Sequence, residues 1–362
     1  MNQHQKGCNN QNKVDKDYCA SHYLAFRFIK DENMNFFKGL SHKVFKPKPE
    51  NELLSVQNVA DIDRILQSKI EEYFIPNKTA LLLSSGIDSA ILASYLPPKT
   101  PCITFKCIAP NAIDETHLAK KYCQFYDLEH HILEIMWEDF LELTPMLLKH
   151  NQVPFHSIEV QLLKAVCYAK SLGYERIIIG DGADYVFYGM DKLLSQDWDF
   201  DAFMHRYNFI EPQKILHKAV SVQEVYEPYR LANNKIDFLG FLKDIMNIES
   251  YTSYMHAFEC GKINYLDPYV CMKMAQSPDL RRIRNGEPKY LLRELFAQKY
   301  PSIALPNKIP MPRAMGQWLQ NWTGPKRSEF KRDCIKSLNG DQKWLVWCLE
   351  QFFNLYDKED KC

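Results

Sequence analysis

The chain has 362 residues, of which 46% are hydrophobic and 25% charged, and its 45 basic residues balance its 45 acidic residues. This composition predicts a globular protein with a substantial core, and the zero net charge argues against a whole-protein surface for nucleic acid or anionic membrane. Its apolar runs are shorter than the ~20 residues that cross a bilayer, and its 11 cysteines are scattered without zinc-site spacing. With no signal peptide visible, we expect a cytoplasmic protein.

The first 50 residues have little regular pattern. Residues 1–18 are polar and lack periodicity, which predicts a loosely held tail. Aromatic and apolar positions in residues 22–46 predict a segment that packs on a neighbour, and KPKPENE (residues 46–52) predicts a linker. Apolar residues at helical spacing then predict a helix within residues 55–74.

Strands and helices alternate over the next part of the chain. The stretches TALLL, CITFKCIA, EHHILEI and RIIIGDG predict strands, and helical patterns fill the intervals between them. This alternation is typical of βαβ units, so residues 51–200 predict an α/β core, a parallel twisted sheet with helices on both faces. After about residue 200 the strand signal fades, and residues 201–362 predict a mostly helical part.

Two of the predicted strands end in polar, glycine-rich turns, SSGIDS (residues 84–89) and GDGADYVFYG (residues 180–189). Ligands bind at the carboxyl ends of parallel strands, and hydroxyls beside free N–H groups of a helix start attract phosphate oxygens. An aspartate there would repel phosphate unless it held a bridging Mg²⁺, which Asp88 and Asp184 would share. An ordinary N-capped turn explains either motif alone, whereas both in this order favour a nucleotide site.

These motifs resemble those of a known family. SSGIDS resembles the S-G-G-x-D-S loop of the ATP pyrophosphatases (the PP-loop superfamily), and GDGAD resembles the second signature of the asparagine synthetases and β-lactam synthetases. Three further segments also resemble the family: TFKCIAPNAIDETHLAKKY, the segment from GKINYLD to the Lys289, Arg293 and Glu294 helix, and LPNKIPMPRAMGQWL. All five motifs fall in the family's order along the chain. The resemblance covers about residues 50 to 322 and implies an adenine nucleotide α-hydrolase-like fold.

The N-terminal region departs from full-length asparagine synthetases. YLAFRFIKDENMNFFKGL resembles the junction that follows their glutaminase domain, and from the residues that precede it we expect that domain to be absent. Residues 1–50 are therefore interpreted as a polar tail and the remnant of this junction. The resemblance implies a synthetase domain without glutaminase activity of its own.

The resemblance also implies a reaction and its residues. ATP and Mg²⁺ would activate a carboxylate as an acyl-adenylate with release of pyrophosphate, and ammonia or an amine would then displace AMP. The implied ATP contacts are Leu83, Ser84, Ser85, Gly86, Asp88, Ser89, Cys107 and Gly180; the implied metal ligands are Asp88 and Asp184; and the implied catalytic residues are Lys308, Asp181 and Lys289.

Two positions differ from the family pattern. Asp181 stands where asparagine synthetases carry glutamate and β-lactam synthetases carry tyrosine, which favours an ammonia-type reaction. Ser85 replaces a family glycine, and a positive φ there would cost about 1 kcal/mol or more.

Several functions stay open at this point. They are an intramolecular amide or β-lactam-type cyclase, a sugar-acid amidotransferase, a tRNA-modifying enzyme of the same superfamily, and an inactive nucleotide-binding partner subunit. The expected partners are a small carboxylate substrate and an ammonia or amine donor, which a separate glutaminase could supply. Nucleic acid and membrane are not expected, and a homodimer is an open alternative.

Overall fold

The computed structural model describes residues 13–309 and 311–357. Its strands are β1 (Lys13–Val14), β2 (Met34–Asn35), β3 (Leu54–Val56), β4 (Thr79–Leu82), β5 (Pro101–Cys107), β6 (Glu129–Ile135), β7 (Arg176–Ile178), β8 (Asn264–Leu266) and β9 (Met272–Met274).

Helices make up most of the remaining regular structure. They are α1 (Lys16–Phe26), α2 (Val59–Tyr73), α3 (Ile87–Ala93), α4 (Thr116–Phe125), α5 (Trp137–Asn151), α6 (Ile158–Ser171), α7 (Ala183–Val186), α8 (Phe200–Tyr207), α9 (Pro212–Ile215), α10 (Phe238–Phe241), α11 (Asn247–Gly261), α12 (Leu280–Arg284), α13 (Tyr290–Lys299), α14 (Met315–Trp318) and α15 (Gly340–Tyr356). None of the described helices is both long enough and apolar enough to span a bilayer.

The N-terminal tail can be compared with its prediction only in part, because residues 1–12 lie outside the described residues. The prediction of a loose tail was wrong for residues 16–18, which form the first turn of α1. The side chain of Asp15 caps this helix by accepting a hydrogen bond from Tyr18 N at 2.8 Å. One capping carboxylate fixes a helix start that a polar, aperiodic composition does not reveal.

The central sheet has five strands, all parallel, in the order β6-β5-β4-β7-β8. From β4 the chain first moves outward through β5 to β6, and then returns to the other side of β4 with β7 and β8. The direction in which strands are added therefore reverses between the neighbouring strands β4 and β7. In open parallel sheets, the crevice outside the strand ends at such a reversal is where ligands bind.

Both faces of this sheet are covered, as the sequence predicted. Side chains point alternately to the two faces of a strand, so neighbouring residues of one strand enter different cores. One core combines Ala80, Ile103 and Ile177 with α5, α6, α11 and α15. The other combines Leu81, Cys102 and Ile178 with α2, α3, α4 and α13. The near-continuous apolar runs of these strands follow from burial on both sides.

The sequence prediction missed the two short strands beyond residue 200. β8 is the fifth strand of the central sheet, with Tyr265 paired opposite Ile177, and β9 pairs in parallel with β3. Each strand is three residues long, too short to display the alternation that identifies a strand in sequence. The rest of that region is mainly helical, as expected, and β8 joins it to the central sheet.

Candidate functional site

The two polar turns meet at one cavity. The first turn follows β4 and the second follows β7, and these strands are direct neighbours in the sheet. Because parallel strands end at the same edge, both turns open into a cavity of about 270 Å³. The segment before and including Lys308 and the start of α13 close the same cavity.

The first turn is held open by its own hydroxyl groups. The side-chain oxygen of Ser89 accepts a hydrogen bond from Ser84 N at 2.9 Å, and the side-chain oxygen of Ser84 accepts one from Gly86 N at 3.2 Å. The two hydroxyl oxygens are 3.0 Å apart. Helix α3 then begins at Ile87, so the turn presents hydroxyls and the start of a helix to the cavity. Both features suit phosphate oxygens.

Ser85 does not line the cavity, and its hydrogen bonds anchor the first turn. Its backbone N and its hydroxyl donate to Glu115 Oε2 at 2.8 and 2.7 Å, and Tyr122 donates to its carbonyl at 3.0 Å. Ser85 is not among the residues with positive φ, so the steric cost that the sequence raised does not arise. Glu115 is buried, and burial raises its pKa even though Ser85 donates two hydrogen bonds to it.

The second turn is shaped by a buried carboxylate from another part of the chain. Asp267 lies just after β8, and its side chain accepts hydrogen bonds from Gly182 N at 2.6 Å and from Tyr269 N at 3.0 Å. Gly189 closes the turn, where a Cβ would overlap the Asp184 carboxylate and the Lys289 side chain. A glycine is needed there because these two side chains occupy the space of a Cβ.

Lys289 joins the two turns electrostatically. Its ammonium nitrogen lies 2.5 Å from Asp88 Oδ2 and 2.7 Å from Asp184 Oδ1. The sum of these distances, 5.2 Å, is the upper limit for the separation of the two carboxylate oxygens. Lys308 contacts the same Asp184 oxygen at 2.7 Å and donates to Gly189 O at 3.0 Å. The two carboxylates and two ammonium groups form one network at this end of the cavity.

The network sets the protonation states of its members. Burial opposes ionisation of Asp184, but the ammonium groups of Lys289 and Lys308 lower its pKa to about 2. Burial likewise opposes the charge on Lys289, yet Asp88 and Asp184 raise its pKa above the usual value. Burial raises the pKa of Asp88, with Lys289 acting in the opposite direction and Asp184 adding to the rise. Asp88 is thus the member of the network whose charge is least compensated.

Asp181 lies on the same turn but in a different environment. Its Oδ2 accepts a hydrogen bond from Ser250 at 2.7 Å, and Tyr254 also hydrogen-bonds the carboxylate. Burial, followed in effect by the negative charges of Asp184 and Glu249, raises the pKa of Asp181 to about 7. A carboxylate with such a pKa exchanges protons near neutral pH, as a general base must.

We call the part of the cavity that contains Lys289 and Lys308 its cation-rich end. The aspartate oxygens there would suit a magnesium ion bound with a nucleotide. Asp88 Oδ1 is buried and has no hydrogen-bond partner among the described residues, which leaves one oxygen directed at no protein group. Mg²⁺ bound with a nucleotide takes one or two carboxylates and completes its shell with phosphates and waters. Within residues 13–309 and 311–357, no group of three or more His, Cys, Asp or Glu side chains could hold a metal ion. Asp88 and Asp184 would hold the ion together with the nucleotide.

The structure brings most of the predicted site residues to this cavity. Those that line it are Leu83, Ser84, Gly86, Asp88, Ser89, Gly180, Asp181, Asp184, Lys289 and Lys308. Ser85 and Cys107 do not line it. The buried Cys107 thiol instead contacts Pro312 O at 3.2 Å, and burial raises its pKa to about 11. The apolar wall near the end of β5 is formed by Ile103 and Phe105.

Sequence reasoning missed the residues that support the site from outside the two motifs. Glu115, Asp267, Ser250 and Tyr254 each hold a motif residue in place, as described above. They come from four positions that are far from their partners in sequence.

Comparison with known proteins identifies the domain that contains both turns. The family model described as asparagine synthase matches residues 77–240, and the resemblance stated from the sequence is confirmed for these residues. No curated protein matches the chain.

Similar solved structures include NMN synthetase from Francisella tularensis, at 14% identity over 69% of this chain and 97% of that chain, with a TM-score of 0.25. The U34-tRNA thiolase NcsA from Methanococcus maripaludis, with its 4Fe-4S cluster, has 14% identity over 69% and 82%, with a TM-score of 0.27. An NH3-dependent NAD synthetase from Campylobacter jejuni subsp. jejuni has 13% identity over 70% and 97%, with a TM-score of 0.23. At these TM-scores the similarity adds no argument about function.

Proposed function

Residues 77–240 carry a domain of the asparagine synthase family, and from this premise we propose that the chain is an AMP-forming, ATP-dependent carbon–nitrogen ligase. It adenylates a substrate carboxylate, releases pyrophosphate, and transfers ammonia or an amine to the activated carbonyl with release of AMP. The observation that carries the proposal is the bridge from Lys289 to Asp88 and Asp184, which unites the two turns in one polar site.

The cation-rich end of the cavity would bind the triphosphate. Ser84, Gly86 and Ser89 offer hydroxyls and backbone N–H groups to the phosphate oxygens, while Lys289 offsets negative charge beside them. Asp88 and Asp184 would hold Mg²⁺, which when bound neutralises phosphate charge and favours departure of pyrophosphate. The apolar side chains Leu83, Ile103 and Phe105 would pack against the adenosine.

Lys308 would stabilise charge on the reacting groups. Its side chain is 48% exposed, on the open side of the cavity, and it already contacts the Asp184 carboxylate. An ammonium group in this place can stabilise negative charge first on the α-phosphate and then on the tetrahedral intermediate that forms when nitrogen attacks. Such a group acts by position and charge, without transfer of a proton.

Asp181 would take the proton that the attacking nitrogen must lose. Ammonia becomes a stable amide nitrogen only after a proton leaves, and a base with a pKa near the working pH does this best. The pKa of about 7 that burial gives Asp181 supports this assignment. Ser250 and Tyr254 would keep the carboxylate oriented toward the cavity while it exchanges the proton.

The proposal also covers the acid that is activated and the nitrogen donor that attacks it. A small-molecule carboxylate and either free ammonia, ammonia from a separate glutaminase, or an amine are the reactants. The negative φ of Ser85 removes the steric reason for regarding the chain as an inactive nucleotide-binding subunit.

A screen for pyrophosphate release tests this function. The chain is incubated with MgATP, ammonium chloride and a panel of carboxylic acids that includes L-aspartate, sugar acids and amino-substituted acids. We expect pyrophosphate release that requires one class of acid and is absent from an Asp88→Asn variant. Nucleotide hydrolysis to ADP and phosphate, with no dependence on any acid, would contradict the proposal.

A further inference from the structure

The two edges of the central sheet differ in length. β8 forms one edge with three residues, whereas β6 forms the other with seven, from Glu129 to Ile135. Within the part of the chain that the structure describes, β6 pairs with a strand on one side only, where it meets β5. An edge strand of this length carries a row of backbone N–H and C=O groups with which another strand can pair.

The pairing with β5 identifies the backbone groups at the outer edge of β6. At the end of this pairing, Ile135 O accepts a hydrogen bond from Ile108 N at 2.8 Å. In a parallel pair, every second residue of a strand bonds to the same neighbour, so residues 129, 131, 133 and 135 bond toward β5. The backbone groups of His130, Ile132 and Glu134 therefore face outward.

These three residues place an apolar side chain between two polar ones on one face of the strand. Ile132, at the centre, is 47% exposed, and Glu134 is exposed. Burial lowers the pKa of His130, and the charges of His131 and of Lys120 on α4 lower it further, so Lys120 lies close to this imidazole. The outer edge is thus basic at one end, apolar in the middle and acidic at the other end.

This order is complementary to itself when a second copy of the strand runs antiparallel. With a two-fold axis at Ile132, the two Ile132 side chains meet, and each His130 lies opposite Glu134 of the second copy. A parallel copy in register would instead place His130 opposite His130 and Glu134 opposite Glu134. The charge pattern therefore favours a second copy of this chain, in the antiparallel direction, as the occupant of the edge.

We propose that β6 pairs antiparallel with β6 of a second copy, so that two chains form a dimer around one continuous sheet. His130, Ile132 and Glu134 each exchange a backbone N–H and C=O with the residue opposite. Glu134 O already accepts a hydrogen bond from Lys164 Nζ at 2.6 Å, and its second lone pair accepts the new one. The dimer is independent of the enzymatic function proposed above.

Sedimentation equilibrium of the full chain tests this dimer. The wild-type chain should dimerise reversibly within a range of about 1–100 μM. Ile132→Lys places two like charges opposite each other at the axis and should raise the dissociation constant of the dimer on the order of 100-fold. Leu231→Lys is the matched control, because Leu231 is 52% exposed and lies outside the sheet, and it should leave the dimer unchanged.

An exchange of charges tests the antiparallel arrangement. Glu134→Lys leaves both ends of the edge basic, and His130→Glu leaves both ends acidic, so each variant alone should dimerise on the order of 10-fold more weakly. An equimolar mixture of the two variants again places opposite charges at both ends and should dimerise more strongly than either variant alone. A mixture that dimerises no better than the separate variants would overturn the antiparallel pairing.

Hydrogen–deuterium exchange locates the interface independently. Exchange of the backbone amides in residues 129–135 should slow as the wild-type dimer forms, and unchanged exchange there would assign the dimer to another surface and overturn the proposal. A wild-type chain that stays monomeric over the whole range, or an Ile132→Lys variant that dimerises as well as wild type, would overturn it too. Circular dichroism establishes that each variant is folded, and Glu134→Lys, at an exposed position, serves if Ile132→Lys does not fold.

Discussion

Two aspartates of the same turn, three residues apart, both line the cavity but have opposite electrostatic surroundings. Asp184 contacts two ammonium groups, which hold its pKa at about 2 in spite of burial. Asp181 contacts Ser250 and Tyr254, and burial raises its pKa to about 7. One turn thus supplies one carboxylate that stays ionised and another that accepts a proton near neutral pH.

This difference separates two chemical tasks within a single site. A carboxylate that stays ionised suits a metal ion and phosphates, whereas a carboxylate that titrates near neutral pH suits proton transfer. Asp184 lies in α7 and Asp181 just before this helix, and the surroundings of each carboxylate then determine its role. We expect adenylation to depend on the cation-rich end and nitrogen transfer to depend on Asp181.

The largest expected effect is at the cation-rich end. Asp184→Asn removes the carboxylate that Lys289 and Lys308 share and should lower pyrophosphate release about 1,000-fold, since both metal and lysine positions change. Asp191→Asn removes an exposed acid two residues beyond Gly189 and should retain activity. Loss of activity in both variants, or in neither, would mean that the Asp184 carboxylate has no specific role in pyrophosphate release.

The next effect should separate the two aspartates. Asp181→Asn keeps the shape of the side chain and removes the base, so amide formation should fall about 100-fold. Exchange of labelled pyrophosphate into ATP, which reports adenylation alone, should remain within a few-fold of wild type. If exchange falls as far as amide formation does, the assignment of separate tasks to the two aspartates is wrong.

The pH dependence of amide formation gives a further test of the same comparison. A base with a raised pKa of about 7 is protonated below that pH, so the rate should fall about tenfold for each pH unit below 7. Asp184 stays ionised over this range because its pKa is lowered, so pyrophosphate exchange should be nearly flat. Rates are compared at constant free ammonia. An inflection that persists in Asp181→Asn would assign the titration to another group.

The smallest effect concerns the support behind the first turn. Ser85→Ala removes the hydroxyl that donates to the buried Glu115 carboxylate and should lower the free energy of unfolding by roughly 1–3 kcal/mol. Urea denaturation of this variant is compared with Ser195→Ala, whose hydroxyl is exposed and should contribute less than about 0.5 kcal/mol. Equal stability of the two variants would show that the Ser85–Glu115 contact is not stabilising.

Much of this architecture was predictable from local patterns. The strands from Thr79 to Ile178 carry near-continuous apolar runs, and the turns after β4 and β7 carry glycines, hydroxyls and aspartates in a fixed order. Each of these signals lies within a few residues of the element it specifies. A parallel sheet then brings strand ends together without further information, which is why Asp88 and Asp184 could be placed at a common site.

The remaining features depend on contacts between distant segments. Glu115 supports Ser85, Asp267 holds Gly182, and Ser250 holds Asp181, but neither partner of any pair indicates the other in sequence. β8 escaped detection because three residues cannot show a period of two. The raised pKa of Asp181 likewise arises from burial by α11, a helix more than 60 residues further along the chain.

The central claim is that the substrate carboxylate attacks the α-phosphorus of ATP within this cavity. The most direct test uses the acid identified in the screen with its carboxylate oxygens labelled with ¹⁸O, and follows AMP by mass spectrometry. The account predicts one labelled oxygen in each AMP formed, with pyrophosphate unlabelled. Unlabelled AMP, or label appearing in inorganic phosphate beside ADP, would contradict it.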